Sequence, residues 1–268
     1  MKDLRETALA VKAASAELGL LGTEKRNAAL AAIADALMAH EADILAANEL
    51  DLADGRANGM RESMLDRLAL THARVEGMAE GVRQLIALPD PVGEVVEEFA
   101  RPNVTVDTAA IALKTGNGIL LRGSASALRS NMALAGAMRG ALKGAGVPEN
   151  ALAVVEDTAH ESVDRMLRMN DCVDVIIPRG GAGLIRRVLE TATVPVLETG
   201  VGNCHIYIDE SADINMALNI TANGKAQRPG VCNALETLLV HKDIADDFLP
   251  RLAEKLPQVE FRCCERSA

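Results

Sequence analysis

The chain has 268 residues, of which 49% are apolar and 25% charged, with a formal net charge of −10, no Trp, one Tyr and three Phe. This length and composition indicate a globular protein of one or two domains and exclude a disordered chain. The acidic charge and the scarcity of aromatic side chains argue against nucleic-acid binding, and no apolar run is long enough to span a bilayer.

The compartment and the class of ligand follow from similar observations. Charges occur throughout the first twelve residues, where a signal peptide would need an apolar stretch. Five cysteines at irregular spacing indicate reduced thiols, so we expect a cytoplasmic protein that acts on a small molecule. The adjacent Cys263 and Cys264 lack the spacing of a metal site, and we predict none.

The first 88 residues are predicted to form helices. Apolar residues recur at helical spacing over 23–47, a polar break is predicted over 48–59, and another helix over 63–88. Pro89 and Pro91 end this run, because proline cannot continue a helix.

From about residue 104, helices alternate with short apolar strands. Helices are predicted over 104–114, 126–143, 161–169 and 183–191, and strands over 118–121, 151–155, 172–177 and 194–197. Strands that are apolar throughout and separated by helices are typical of a parallel sheet covered on both faces. We therefore predict an α/β fold with a doubly wound parallel sheet, which places ligands beyond the carboxyl ends of its strands.

A second unit is predicted to begin at residue 198, dividing the chain into 1–197 and 198–268. It contains predicted strands over 204–209 and 236–241 and a helix that begins near Asp213. A further helix is predicted over 244–255, with an interruption at Pro250.

Two loops at predicted strand ends are candidate ligand sites. Arg122 and Ser124 directly follow a strand and suit a phosphate or a ribose, although a solvated arginine at a strand end explains them slightly better on these residues alone. Gly180, Gly181 and Gly183 lie between a strand and a helix, where a helix N-terminus favours anions. Their spacing does not match the dinucleotide fingerprint, and a tight turn without a ligand is the alternative.

Cys232 is the candidate nucleophile. It lies in a polar loop between a predicted helix and a predicted strand, with Lys225 and Arg228 nearby in sequence. The thiolate is the reactive form of cysteine, and neighbouring positive charge favours it. The alternative is a small buried hydrophobic residue, the commoner fate of a free cysteine.

The Cys232 loop is one of five stretches with a distinctive sequence motif. They are 100–107 (ARPNVTVD), 114–117 (KTGN), 175–181 (VIIPRGG), 195–203 (PVLETGVGN) and 227–241 (QRPGVCNALETLLVH). In this order they resemble the gamma-glutamyl phosphate reductases, a family of the aldehyde dehydrogenase superfamily, over all but the last dozen residues. The resemblance implies an aldehyde dehydrogenase-like fold, with N-terminal helices and a dinucleotide-binding domain over 1–197 and a partial catalytic domain over 198–268.

The resemblance also implies catalytic roles. Cys232 matches the family nucleophile, and Asn103 matches the asparagine whose amide helps to hold an oxyanion. Glu198 has the spacing of the superfamily's general base, which an enzyme that exchanges with phosphate does not need, so Glu198 is either that base or structural. Arg228 is our candidate for binding a substrate carboxylate or phosphate, with a salt bridge inside the loop as the alternative.

For the cofactor, the resemblance implies NADP. Arg122 occupies the place of a basic residue on the cofactor ribose, and Ser124 stands where many relatives have an acid. Without that acid, the 2′-phosphate of NADP would be admitted. The turn containing Gly180, Gly181 and Gly183 resembles the superfamily turn that lies against the cofactor. The implied reaction is the NADPH-dependent reduction of γ-glutamyl phosphate to glutamate-5-semialdehyde in proline biosynthesis, through a cysteine thioester.

Two departures from the family leave alternatives open. Phe99 is followed directly by Ala100, whereas family members carry between these positions a stretch that includes the first strand of the cofactor sheet. Because similar Arg-Pro-Asn sequences flank that stretch in the relatives, we interpret its absence here as a deletion between them. Relatives also continue past residue 268 with segments that build the family's homo-oligomer, so oligomeric state stays open here. The alternatives are another thiol aldehyde dehydrogenase and an inactive fragment that binds a nucleotide or a partner protein.

Overall fold

The structure, a computed structural model, describes residues 3–90, 104–198 and 202–267. The chain forms two compact units, Met1–Thr199 and Gly200–Ala268. The division lies two residues after the boundary expected between 197 and 198.

The first unit is built from helices and short strands. Its helices are α1 (Leu4–Gly19), α2 (Thr23–Ala39), α3 (Glu41–Ala57), α4 (Glu62–Leu68), α5 (His72–Ala87), α6 (Val104–Lys114), α7 (Leu128–Gly144), α8 (His160–Met166) and α9 (Ala182–Thr191). Its strands are β1 (Ile119–Leu121) and β2 (Leu152–Val154). The predicted helix over 104–114 is confirmed to the residue, and β1 and β2 lie inside their predicted ranges.

The predicted break over 48–59 is wrong, because α3 continues to Ala57. Two of the polar residues that suggested a loop, Asn48 and Asp51, are buried and paired. Asn48 donates from Nδ2 to the Leu68 carbonyl at 3.0 Å and accepts from the Leu70 N–H at 2.7 Å. Asp51 is buried against Ser130. A buried polar side chain with its hydrogen bonds made fits a helix as well as a loop.

The predicted helix over 63–88 is interrupted. The chain leaves the helical conformation after Leu68, and Thr71 caps α5 by accepting from the Arg74 N–H at 3.3 Å. The interruption supplies the Leu68 carbonyl and the Leu70 N–H that pair with Asn48. The break and the buried polar residue on α3 therefore depend on each other.

The core of the first unit lies between helices. Leu30, Ile33 and Leu37 form one stripe of α2 and are fully buried against α5 and α7, where Val75 and Met138 are also fully buried. Burial of each such side chain stabilises the fold by about 2 kcal/mol. Since aromatic residues are nearly absent, aliphatic side chains and Met supply this core.

Parallel pairing in the first unit confirms the α/β class. β1 pairs with β2 in parallel, with Ile119 opposite Leu152 and Leu121 opposite Val154. The strands predicted over 172–177 and 194–197 are reduced to a parallel bridge between Ile176 and Val196. The N–H groups of Cys172 and Val173 instead bond to the Met169 carbonyl in a turn after α8, so they do not join the sheet.

The second unit is a parallel strand pair with helices. It contains β3 (Cys204–Ile208), α10 (Ile214–Ala226), β4 (Leu235–Val240) and α11 (Lys242–Lys255), and β3 pairs with β4. Pro250 lies inside α11 without ending it, contrary to the predicted interruption. Phe248 and Leu252, both buried, flank it. Their burial offsets the roughly 3 kcal/mol that an internal proline costs.

In the described ranges of the chain, the apolar stretches of the helices fall short of what a membrane crossing requires.

His72, at the start of α5, should titrate above its ordinary pKa. Its Nδ1 lies 2.8 Å from Oε1 of Glu41, and this carboxylate raises the pKa of the imidazole by stabilising its charged form. The pair therefore stabilises the fold fully below about pH 6.5, and the contribution is lost as pH rises through the raised pKa. An NMR titration should show this midpoint, and Glu41→Gln should return it to about 6.5. In the control Glu49→Gln, on the exposed side of α3, the midpoint should not move; a midpoint unchanged by Glu41→Gln would contradict the assignment.

Candidate active site

Cys232 lies on an exposed turn between α10 and β4. The turn is held by backbone hydrogen bonds from the Val231 N–H to the Arg228 carbonyl at 3.4 Å and from the Ala234 N–H to the Val231 carbonyl at 3.2 Å. The alternative of a small buried residue is therefore wrong for Cys232. It describes Cys172 instead, where burial raises the pKa of the thiol.

Two side chains tie the Cys232 turn to the strands beside it. The Cys204 thiol, at the start of β3, donates to the Cys232 carbonyl at 3.4 Å. Lys225, on the last turn of α10, donates from Nζ to the Leu235 carbonyl at 3.0 Å. Lys225 was expected as a positive charge near the thiol, but its ammonium is engaged with a backbone carbonyl. Sequence reasoning missed Cys204, since only the parallel pairing of β3 and β4 brings it to the turn.

Arg228 opens the same turn and is half-buried. Its Nε is buried and has no hydrogen-bond partner within the part of the chain that the structure describes. A buried guanidinium N–H without an acceptor is costly, and an anionic ligand would satisfy it. No salt bridge of Arg228 occurs among the described residues, so the structure gives no support to the alternative role.

Arg122 and Ser124 follow the carboxyl end of β1, as expected. Arg122 donates from Nη2 to the Thr158 carbonyl at 2.6 Å, which joins the loop after β1 to the loop after β2. Its Nε is buried and lacks an acceptor among the described residues. The Ser124 hydroxyl lies 2.7 Å from that of Ser126. A cationic side chain anchored between two strand ends fits the predicted anion or ribose site.

The glycine turn leads into α9. Gly181 is the N-cap residue of α9, with φ −73° and ψ 164°. A side chain at Gly181 or Gly183 would meet nothing within 4 Å, whereas one at Gly180 would meet the Leu184 side chain at 2.8 Å. None of these glycines adopts a positive φ. Gly181 and Gly183 therefore leave open space in front of the backbone, which a ligand or a solvent layer can fill.

Glu198 and Asn103 are the remaining predicted site residues. Glu198 is exposed and belongs to the first unit, while Cys232 belongs to the second. Asn103 lies outside the described residues. Their assignments rest on the sequence.

Two further groups have features that the sequence did not indicate. The Ser267 hydroxyl lies 3.1 Å from the sulfur of Cys264 and lowers the pKa of this thiol. A cluster of possible metal-ligand atoms lies beyond the ends of β3 and β4. Its members, Glu210, His241 and Asp243, bring these atoms within 4.8 Å of one another. Both carboxylates are exposed, and His241 already accepts from the Asp243 N–H at 3.4 Å at the start of α11. This cluster is explained as the cap of that helix.

A comparison with models of protein families shows which family the chain belongs to. The model of the aldehyde dehydrogenase family matches residues 2–263. The chain belongs to the aldehyde dehydrogenase family. The match confirms the superfamily that was expected from the sequence motifs of the Cys232 loop and of the strand-end loops.

Several individual proteins of one name are similar to the chain over most of its length. Gamma-glutamyl phosphate reductase of Geobacillus thermodenitrificans is 52% identical, over 90% of this chain and 64% of its own length. The enzyme of the same name from Anoxybacillus flavithermus is 50% identical, over 100% of this chain and 70% of its own. The crystal structure of gamma-glutamyl phosphate reductase from Thermotoga maritima matches with a TM-score of 0.80 at 44% identity, over 98% of this chain and 69% of that one. The chain thus spans about two thirds of the length of these relatives.

The alignments also contain positions that this chain lacks. The match to the Anoxybacillus flavithermus relative runs over 293 positions and takes in 100% of a chain of 268 residues, which leaves about 25 positions without a counterpart here. An internal loss near Phe99, as interpreted from the sequence, would account for positions of this kind.

Proposed function

We propose that the chain catalyses the NADPH-dependent reduction of γ-glutamyl phosphate to glutamate-5-semialdehyde and phosphate, a step of proline biosynthesis. The observation that carries the proposal is the exposed Cys232 thiol on a turn tied down by Cys204 and Lys225. The names of the relatives at about 50% identity supply the substrate. All five cysteines are free, which suits a thiol enzyme of the reducing cytoplasm.

Cys232 acts as the covalent nucleophile in this proposal. Its thiolate attacks the acyl carbon of γ-glutamyl phosphate, the C–O bond to phosphate breaks, and a thioester on Cys232 remains. The turn exposes the sulfur to a substrate, and its tethers fix the backbone from which the sulfur projects. Asn103, assigned from the sequence, would stabilise the oxyanion of the tetrahedral species, a contribution of about 3 kcal/mol.

Arg228 binds the anionic end of the substrate. It stands four residues before Cys232 on the same turn, and its buried Nε lacks an acceptor among the described residues. A carboxylate or phosphate oxygen bound there would make a charge-assisted hydrogen bond and orient the acyl carbon toward the thiol.

The residues at the end of β1 fit a nicotinamide dinucleotide. The buried Nε of Arg122 is an N–H donor that no described residue satisfies, and a ribose or phosphate oxygen is a suitable acceptor. The open backbone at Gly181 and Gly183 leaves room for a ligand at the start of α9. When bound, such a cofactor supplies the hydride that reduces the thioester. Arg122 and Ser124 would hold it by its ribose, with Ser124 leaving space for a 2′-phosphate.

The direct test is reduction of NADP⁺ by the purified chain in the presence of glutamate-5-semialdehyde and inorganic phosphate. The proposal predicts activity that depends on phosphate, because phosphate must cleave the thioester in this direction. Activity without phosphate would indicate a hydrolytic aldehyde dehydrogenase. Cofactor binding without any activity would favour the interpretation as a nucleotide-binding fragment.

Introducing an acid beside Arg122 should weaken binding of NADPH selectively. In Ser124→Asp, the new carboxylate would repel the 2′-phosphate, and we expect the Kd for NADPH to rise about tenfold, which corresponds to roughly 1.4 kcal/mol, with little change for NADH. Fluorescence titration with both cofactors measures this. Ser124→Ala removes the hydroxyl without adding charge and is the matched control. Equal weakening for the two cofactors would contradict the assignment of the 2′-phosphate.

Replacing Glu198 with Gln should leave most of the activity in place. A thioester that exchanges with phosphate needs no base to activate water, and Glu198 is exposed. We expect kcat for the phosphate-dependent reaction to fall by less than about threefold, as an exposed residue outside the chemistry would give. A fall of a hundredfold or more would instead assign Glu198 as a general base.

A further inference from the structure

Cys204 and Cys232 are two thiols of the second unit that meet at one turn. The sulfur of Cys204 lies 3.4 Å from the carbonyl oxygen of Cys232. Cys204 is half-buried at the start of β3, and Cys232 is exposed. Both are free.

The pairing of β3 with β4 is irregular next to Cys204. Cys204 lies opposite Leu235, yet the next residue, His205, lies opposite Thr237, so Glu236 is an extra residue of β4. Such a bulge bends the strand and re-aims the neighbouring side chains. Glu236 lies four residues after Cys232, at the foot of the turn.

The two cysteines are close enough for a disulfide after a small movement. A carbonyl oxygen lies about 2.4 Å from its own Cα and a cysteine sulfur about 2.8 Å, so the 3.4 Å contact limits the Cα–Cα separation to about 9 Å. A disulfide requires a Cα–Cα separation of about 4.4–6.8 Å with the two Cβ atoms facing each other, so from that limit the turn must close by about 2 Å or more. The tethers from Cys204 and Lys225 hold the backbone carbonyls of residues 232 and 235, whereas the exposed Cys232 side chain takes no part in them, so the closure combines rotation of this side chain with a small shift of the turn toward β3.

We propose that Cys204 and Cys232 form an oxidative modification site whose reagent is a hydroperoxide. The proposal deepens the proposed function and rests on it in one respect, the nucleophilic thiolate of Cys232. That thiolate attacks the terminal OH oxygen of the hydroperoxide, the O–O bond breaks, and the leaving hydroxide or alkoxide takes up one proton from solvent to depart as water or an alcohol, giving a sulfenic acid on Cys232. The Cys204 sulfur then attacks the Cys232 sulfur, the S–O bond breaks, and water leaves as the disulfide forms. Two thiols lose two electrons, and the hydroperoxide gains them.

The chemical consequence is reversible protection of the nucleophile. A sulfenic acid without a partner thiol proceeds to a sulfinic acid, which thiol reductants do not restore. A disulfide with Cys204 blocks the nucleophile but returns to two thiols with dithiothreitol. The other free cysteines differ, since Cys172 is buried in the first unit and Cys263 and Cys264 are adjacent to each other.

Peptide mapping after oxidation tests the site. The parent for the test carries Cys263→Ser and Cys264→Ser, because these exposed thiols would compete for the oxidant. After treatment with hydrogen peroxide, we expect a mass loss of about 2 Da, a Cys204–Cys232 cross-linked peptide, and full reversal by dithiothreitol. In the same background with Cys204→Ser, we expect sulfinic acid to accumulate on Cys232 about tenfold faster.

Three outcomes would overturn the proposal: sulfinic acid on Cys232 without a cross-link in the parent, a cross-link between other cysteines, or a Cys232 that peroxide does not modify. None of these measurements requires turnover. A chain without reductase activity that still forms the Cys204–Cys232 disulfide would overturn the proposed function and leave the modification site intact. An active chain that forms no disulfide would do the reverse.

Discussion

Replacing Cys232 with Ser is expected to lower kcat for phosphate-dependent reduction of NADP⁺ by about a thousandfold or more, equivalent to roughly 4 kcal/mol of transition-state stabilisation. A serine hydroxyl is hardly ionised at neutral pH, and the turn carries no histidine that would activate it. The substitution changes one atom on an exposed turn. The contact from Cys204 goes to the backbone carbonyl of residue 232, so it should survive in the variant.

The control for this substitution is Cys263→Ser, which removes another exposed thiol of the second unit. It should retain the kcat of the parent. Titration with NADPH should give the same Kd for the parent and for Cys232→Ser, because the proposed cofactor residues belong to the first unit. Retention of more than a tenth of the activity in Cys232→Ser would remove the thiol from the mechanism.

The parts of the site that sequence could predict are local in the chain. β1 lies within its predicted range, and Arg122 follows it, because three apolar residues and the flanking polar ones suffice to define a short, half-buried strand. The turn around Cys232 was predicted from the polar residues between a helix and a strand, and the structure exposes it there.

The parts that sequence could not predict depend on contacts between distant residues. Cys204 reaches residue 232 only because β3 and β4 pair in parallel with a bulge. Arg122 bonds to Thr158, 36 residues away, across the ends of β1 and β2. Periodicity and composition contain no information about such pairs, since each partner looks like an ordinary polar or small residue in its own segment.

The wrong prediction of a break over 48–59 has the same cause, a contact between residues distant in sequence. It draws attention to Asp51, whose replacement should destabilise the fold. Asp51 was read as part of a polar break, but its side chain is only 1% exposed and lies against the first turn of α7. Its Oδ2 accepts from the Ser130 N–H at 2.9 Å and from the Ser130 hydroxyl at 2.7 Å. Ala127, the N-cap residue of α7, has no side chain that could make such a bond. Asp51 therefore caps α7 from another helix, where a carboxylate also interacts favourably with the helix dipole.

Replacing Asp51 with Ala should consequently lower the free energy of unfolding by about 3 kcal/mol or more, because the Ser130 N–H and hydroxyl would be left buried without an acceptor. Asp51→Asn keeps an acceptor without the charge and should fall between the parent and Asp51→Ala. Urea unfolding followed by circular dichroism measures these differences.

Asp54 provides the matched control, since it lies on the same helix and binds the same Arg129 guanidinium at 2.7 Å, yet its side chain is 61% exposed. Asp54→Ala should cost less than about 1 kcal/mol. If both alanine variants lost the same stability, the ion pair with Arg129 would be the dominant interaction and the cap would not. A larger loss of stability in Asp51→Ala than in Asp54→Ala would show that a buried carboxylate holds the start of α7 in place. The start of α7 closely follows the Arg122–Ser124 loop, so the residue that the sequence pattern assigned to a break would also support the proposed cofactor site.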